Sequence, residues 1–139
     1  MPLSSSAPIK RALVQELRNN ATLKAALPGG IHEGFAPEKV KYPVLTYMLV
    51  VDPYFFTWDS AMHLAAFDIT VFSDDSVVAS NVDTLVLQTL DGAPLNVDGQ
   101  TTLICHRVAD LSSPDVDEEG RKIYMVGGSY EIWTDQPRT

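Results

Sequence analysis

At 139 residues, 45% hydrophobic and 20% charged, the chain has the size and composition of one soluble domain that can build its own core. A formal net charge of −8 argues against binding phosphate backbones or anionic membranes, because both need clustered Lys and Arg. One cysteine, Cys105, excludes an intrachain disulfide, and no run approaches the ~20 apolar residues that cross a bilayer.

In chain order, residues 1–5 are small and polar and are expected to fray, as is the end at 135–139, with the whole chain, 1–139, forming a single domain. From Ser6 the pattern is helical. Ile9, Leu13, Leu17 and Ala21 recur every four residues, Ser5 or Ser6 can cap the start, and Pro8 is tolerable in a first turn. Asn19 or Asn20 can cap a short second helix carrying Leu23, Ala26 and Leu27, which "PGG" at 28–30 ends. Residues 31–41 read as extended or irregular. "YPVLTYMLVV" (42–51) reads as a strand, "DPYFFTWDSA" (52–61) as a turn or long hairpin tip, and "MHLAAFDITVFS" (62–73) as an alternating strand. A helix follows through Val78, Val82, Leu85, Val86 and Leu90, capped by Ser73 or Asp74 and stopped at Gly92. Two strands close the chain, 101–111 and 121–134, and Gly127-Gly128 inside the second suggests a bulge. The order α(α)-β-β-α-β-β predicts an α+β fold: a four-stranded antiparallel sheet with two main helices packed on one face.

The chemistry-bearing residues form no recognisable site. Asp115, Asp117, Glu119 and Gly120 fall at the first, third, fifth and sixth places of a calcium loop. The twelfth place, which needs a bidentate acid, is Val126, and strands rather than helices flank the stretch. It reads as a polar hairpin loop, and no metal is expected. His32, His63 and His106 lie far apart with no ligand spacing, so His63 and His106 read as satisfied structural histidines. Cys105 in "TTLICHRV" reads as a buried, inert thiol. Nucleophile-elbow and phosphate-loop motifs are absent. No catalytic residue and no cofactor site is expected, and the chain reads as a non-enzyme.

Apolar excess is the feature that stands out. The strand at 42–51 is apolar on both faces, with Leu45, Tyr47, Leu49 and Val51 on one and Val44, Met48 and Val50 on the other. Helices cover only one face of an open antiparallel sheet. The tip adds Tyr54, Phe55, Phe56 and Trp58 where a loop is normally polar. Either the tip folds back on its own sheet as a satellite core, or tip and outer face pack against other subunits.

In its whole-chain organisation the sequence resembles the small tail-terminator or tail-completion proteins of long-tailed bacteriophages, minor tail proteins of the head-proximal tail ring. The resemblance rests on "LRNNATLKAALPGGIHEGFAPEKVKYPVLTYMLV", on "AAFDITVFSDDSVVASNVDTLVLQTLDG" and on a last hairpin ending "YEIWT". It implies a structural protein that forms a ring, commonly of six subunits, on the head-proximal end of the tail tube. Such a ring stops tube polymerisation and gives the head's connector a docking surface. The partners implied are further copies of the chain, the tail-tube protein and a head-completion or connector protein, with DNA passing through unbound and no membrane involved. The place implied is the virion tail, after assembly in the host cytoplasm. Tyr54, Phe55, Phe56 and Trp58 in the tip, and Asp115, Asp117, Glu118 and Glu119 in the acidic loop, are the natural contact residues. The length and acidity of 112–120 depart from the simplest family pattern. Two other readings stand beside this one: a head–tail adaptor of the neck, and a small dimeric α+β ligand-binding domain or enzyme.

Overall fold

A computed structural model describes residues 6–56, 58–117 and 119–137. The first helix, α1 (Ala7–Asn19), buries Ile9, Leu13 and Leu17, the stripe that its four-residue spacing predicts. Asn20 separates it from α2 (Ala21–Ala26) and caps the latter by accepting a 3.1 Å bond from the Leu23 amide. Asp75 does the same for α3 (Ser76–Leu90), taking the amides of Val77 and Val78. All three helices contribute to one core with Leu45, Phe67, Ile69, Tyr130 and Ile132 of the sheet.

The sheet corrects the expected four antiparallel strands. It has six strands and is mixed, in the order β1-β2-β4-β6-β5, with β3 also paired to β4. The strands are β1 (Ile31–Glu33), β2 (Val44–Val51), β3 (Tyr54–Phe56), β4 (Ser60–Ser73), β5 (Thr101–Val116) and β6 (Lys122–Pro137). The α+β class stands. β1 runs parallel to β2, Ile31 opposite Leu45, and three residues are too few to show any periodicity. It forms because Gly29 lets the chain press against the next segment: its amide meets the Pro43 carbonyl at 3.1 Å, and a Cβ there would lie 2.1 Å from the Lys41 carbonyl oxygen. β3 is the near half of the expected tip, paired with Ala61–His63 of β4.

Register decides the faces. Ala61, His63, Ala65, Phe67, Ile69 and Val71 of β4 share one buried face, Ala65 to Val71 in the core with the helices and His63 beneath Asp52 and Tyr54, while the alternate residues face the other side. A register shift between Leu49 and Val51 in β2 turns Val51 to the open face, against the simple alternation expected for 42–51. The other shifts lie in β5, at Thr102/Ile104 and Arg107/Ala109. Gly127-Gly128 is therefore no bulge, since β6 pairs continuously with β4 through both. These glycines answer a different need. A Cβ on Gly127 would sit 2.1 Å from the Ile69 carbonyl oxygen, and one on Gly128 2.1 Å from the Arg107 guanidinium.

The open face is covered more fully at one end than at the other. Near the start of β2, loop 34–43 joins Val44, Thr46, Phe72 and Ile123 around a cleft of about 460 Å³, and Val44 and Thr46 are buried. At the other end Met48, Val51 and Phe55 are about half exposed. The chain end expected to fray enters the sheet as far as Pro137, which pairs with Ser60.

Candidate functional site

Two surfaces and one interior cluster hold the side chains of interest. The tip is pinned to the sheet beneath it. His63 is fully buried on β4, its Nε2 meets the Asp52 carboxylate, and its ring stacks on Tyr54 at 4.3 Å. The Leu64 amide donates to the Pro53 carbonyl at 3.0 Å, so the Asp52-Pro53 turn is fixed as well. From this base the aromatics diverge. Phe55 stacks on Trp133 of the open face at 5.5 Å, and Phe56 lies 6.0 Å from Tyr54. Phe55 and Phe56 remain 48% and 55% exposed, and Trp58 is 100% exposed. Part of the tip folds back and part stands in water.

The acidic stretch is shorter as a loop than the sequence suggests. β5 runs on to Val116, so Asp115 is a strand residue opposite Ile123, and the turn occupies only the residues after it. Asp117 organises that turn. Its Oδ1 accepts the amides of Glu119 and Arg121 at 3.0 and 2.9 Å, and its Oδ2 accepts Arg121 Nε at 2.9 Å. Arg121 also reaches the Glu119 carboxylate at 3.3 Å. Loss of water around Asp117 pushes its carboxyl up, but the two amides and the guanidinium outweigh this and hold it below the usual carboxylate range. Glu118 lies outside the described residues. Among the described residues no group of three or more His, Cys, Asp or Glu is arranged to hold a metal ion.

The tip and the acidic turn are not brought together. Ser60 of β4 adjoins the tip, whereas Ser73 at its far end lies opposite Tyr124, beside the acidic hairpin. The 14-residue strand between them is about 45 Å long at 3.3 Å per residue.

The interior cluster escaped the sequence reading. Arg107 of β5 turns inward, where Nη2 meets Asp83 Oδ2 at 3.0 Å and also the Gly127 carbonyl. Its Nε lies 2.9 Å from Asp110, and its guanidinium carbon is 5.7 Å from the centre of the Tyr130 ring. The Arg107 amide donates to Asp91 at 3.0 Å. Burial pushes the Tyr130 hydroxyl up to about 12 despite the neighbouring cation, and burial pushes the Cys105 thiol to about 12 as well. A signal was present: Asp83 stands inside the buried α3 stripe Ala79, Val82, Val86 and Leu90, and an acid on such a stripe needs a partner. This cluster locks α3 to the sheet, and Asp91, Arg107 and Asp110 of it line a shallow surface cleft.

What stands on the surface is a set of exposed aromatics at one end of β4 and a braced charged turn at the other. The model of the tail completion protein gp17 family matches residues 11–134, from within α1 to within β6. The chain belongs to that family. It is a structural protein of a phage tail. Both candidate surfaces lie within the matched span. Among solved structures, a chain from "Virion of native gene transfer agent (GTA) particle" is similar, with a TM-score of 0.72 and 15% identity over 96% of this chain and 99% of that one. At that identity the likeness concerns the fold. No curated protein matches the chain.

Proposed function

We propose that this tail completion protein forms a ring of six subunits at the head-proximal end of the tail tube, where it stops tube polymerisation and offers the docking surface for the head's connector. The observation that carries the reading is the separation of two unlike surfaces along β4. A protein that joins a tube to a head must meet two different neighbours, and here an apolar, aromatic end and a charged end sit at opposite ends of one rigid strand. Half-exposed Met48, Val51 and Phe55 beside Trp58 form the kind of patch that packs against protein. The partners are further copies of the chain, the tail-tube protein and a head-completion or connector protein. DNA passes through the centre without specific binding, in keeping with a net charge of −8. The ring resides in the virion after assembly in the host cytoplasm, and its work is contact rather than catalysis.

Native mass spectrometry over a range of concentrations, with electron microscopy of the protein mixed with tube protein, tests this. The expected result is a closed species of six copies that caps one end of each tube and halts its growth. Tubes that grow to the same length with and without the protein overturn the reading.

A further inference from the structure

The charges of the chain are sorted along its length. Residues 1–41 hold six Lys and Arg against three Asp and Glu, whereas 74–120 hold one against ten. The fold carries that division to opposite margins of the sheet. α1 lies over the β1 margin, tied there by a 3.0 Å ion pair between Lys10 and Glu33. Its outward flank presents the exposed Arg11 and Arg18 around a groove of about 490 Å³ floored by Val14 and Tyr47, and Lys24 of α2 continues the positive strip. Arg11, Arg18 and Lys24 form no ion pair among the described residues.

The opposite margin is β5 with the α3–β5 connection, where Asp91, Asp98 and Asp110 are exposed. The lone Lys or Arg of residues 74–120, Arg107, points inward and is taken up by Asp83 and Asp110. β5 is also a terminal strand of 16 residues with no second neighbour among the described residues, and Leu103 and Val108 on it are about half exposed. The strand carries no lysine; its two register shifts and Pro114 discourage sheet extension along it, which leaves its acidic side chains as the feature a neighbour would meet.

We infer that the acidic β5 margin of one copy docks on the basic α1 margin of the next, head to tail. Each subunit carries one margin of each sign on opposite sides, so unlike charges meet at every joint of such a series. A contact between two different patches is heterologous, the type that generates rings when its rotation closes. The inference names the joint of the ring proposed above and rests on that reading.

The test is charge reversal with restoration, followed by native mass spectrometry and sedimentation at low and high salt. Arg11→Glu with Arg18→Glu raises the concentration for half-assembly about tenfold or more, as does Asp98→Lys with Asp110→Lys. Asp98→Lys alone, which removes no ion pair among the described residues, moves it in the same direction. The chain carrying all four changes recovers assembly, because its margins are again opposite in sign. Higher salt weakens the wild-type assembly. A closed ring indifferent to every reversal overturns the charged joint and leaves the ring reading standing. Charge-dependent association that the four-change chain restores, but that ends at two copies, keeps the complementary margins and removes the ring. A wild-type chain that stays monomeric at low salt overturns both.

Discussion

Arg107 and Asp83 form a buried ion pair between β5 and α3, 3.0 Å apart with side chains only 9% and 11% exposed. Removing Arg107 strands the Asp83 carboxylate in a largely buried site, and removing Asp83 leaves the guanidinium with only the exposed Asp110 and the Gly127 carbonyl. Asp83→Ala or Arg107→Ala is expected to cost about 3 kcal/mol in urea unfolding. The double change Asp83→Leu with Arg107→Met should recover most of that loss, since a packed apolar pair can replace a buried ionic one. A double variant as unstable as the singles would show that the cluster does more than offset its own burial.

Gly127→Ala is expected to be more damaging than its single methyl suggests. The new Cβ would meet the Ile69 carbonyl oxygen at 2.1 Å and the Thr70 Cα at 2.7 Å, both backbone atoms of the central strand. Overpacking against backbone that cannot yield costs about 3 kcal/mol. Thermal unfolding followed by circular dichroism should show the loss, and an unchanged midpoint would mean that β6 can move off β4.

Phe56→Ala combined with Trp58→Ala separates stability from assembly. Both side chains are at least half exposed, so the unfolding free energy should shift by no more than about 0.5 kcal/mol. Ring or tail assembly should nevertheless fail. Intact tails from this double variant would remove the tip from the contact surface.

Alkaline pH should destabilise the protein through two buried acids. Cys105 and Tyr130 ionise near 9.0 and 10.0 when unfolded but are both pushed up to about 12 when folded. Their contribution is therefore complete below pH 9 and is lost as the pH rises from 9 towards 12, because only the unfolded chain can release these protons. About 1 kcal/mol of the loss between pH 8 and pH 10 belongs to Cys105 by linkage. Urea titrations of Cys105→Ala at the two pH values should show a loss smaller by that amount.

Acid acts on the other side, at Asp117. Its carboxyl is held below its ordinary 3.8, so the bonds it accepts are in place above that value and fail as pH falls through the lower, folded value. The protection of the Glu119 and Arg121 amides, whose N–H groups it binds, against hydrogen exchange relative to an unstructured peptide at the same pH should fall over that acid window. In Asp117→Ala that protection should already be low at neutral pH.

The sequence was readable where a segment's surroundings are set by its own neighbours. The helical stripes of α1 and α3 and the alternation of β4 follow from residues a few places apart, and the structure has them. β1 was invisible because its ladder partner among the described residues is a parallel strand about a dozen residues on, which leaves no local pattern. β3 was hidden by the Asp52-Pro53 turn, which made "YFF" look like part of a loop. The bulge at Leu49/Val51 could not be seen either, since alternation continues across it in the sequence. At the candidate surfaces, the aromatic content of the tip was plain, but its partial anchoring through Trp133 depends on a strand 78 positions away from Phe55. The role of Asp117 in bracing its own turn, through the Glu119 and Arg121 amides, was not legible in the sequence.

Trp58 and Arg121 stand near opposite ends of the same 14-residue β4, far beyond the distance at which substitutions interfere with one another. Energetic effects at the two ends should therefore add. Selection acting on one end leaves the other as it was. On the proposed function, a lineage can exchange a neighbour met at the aromatic end while keeping one met at the charged end, and the middle of the strand carries no record of the change.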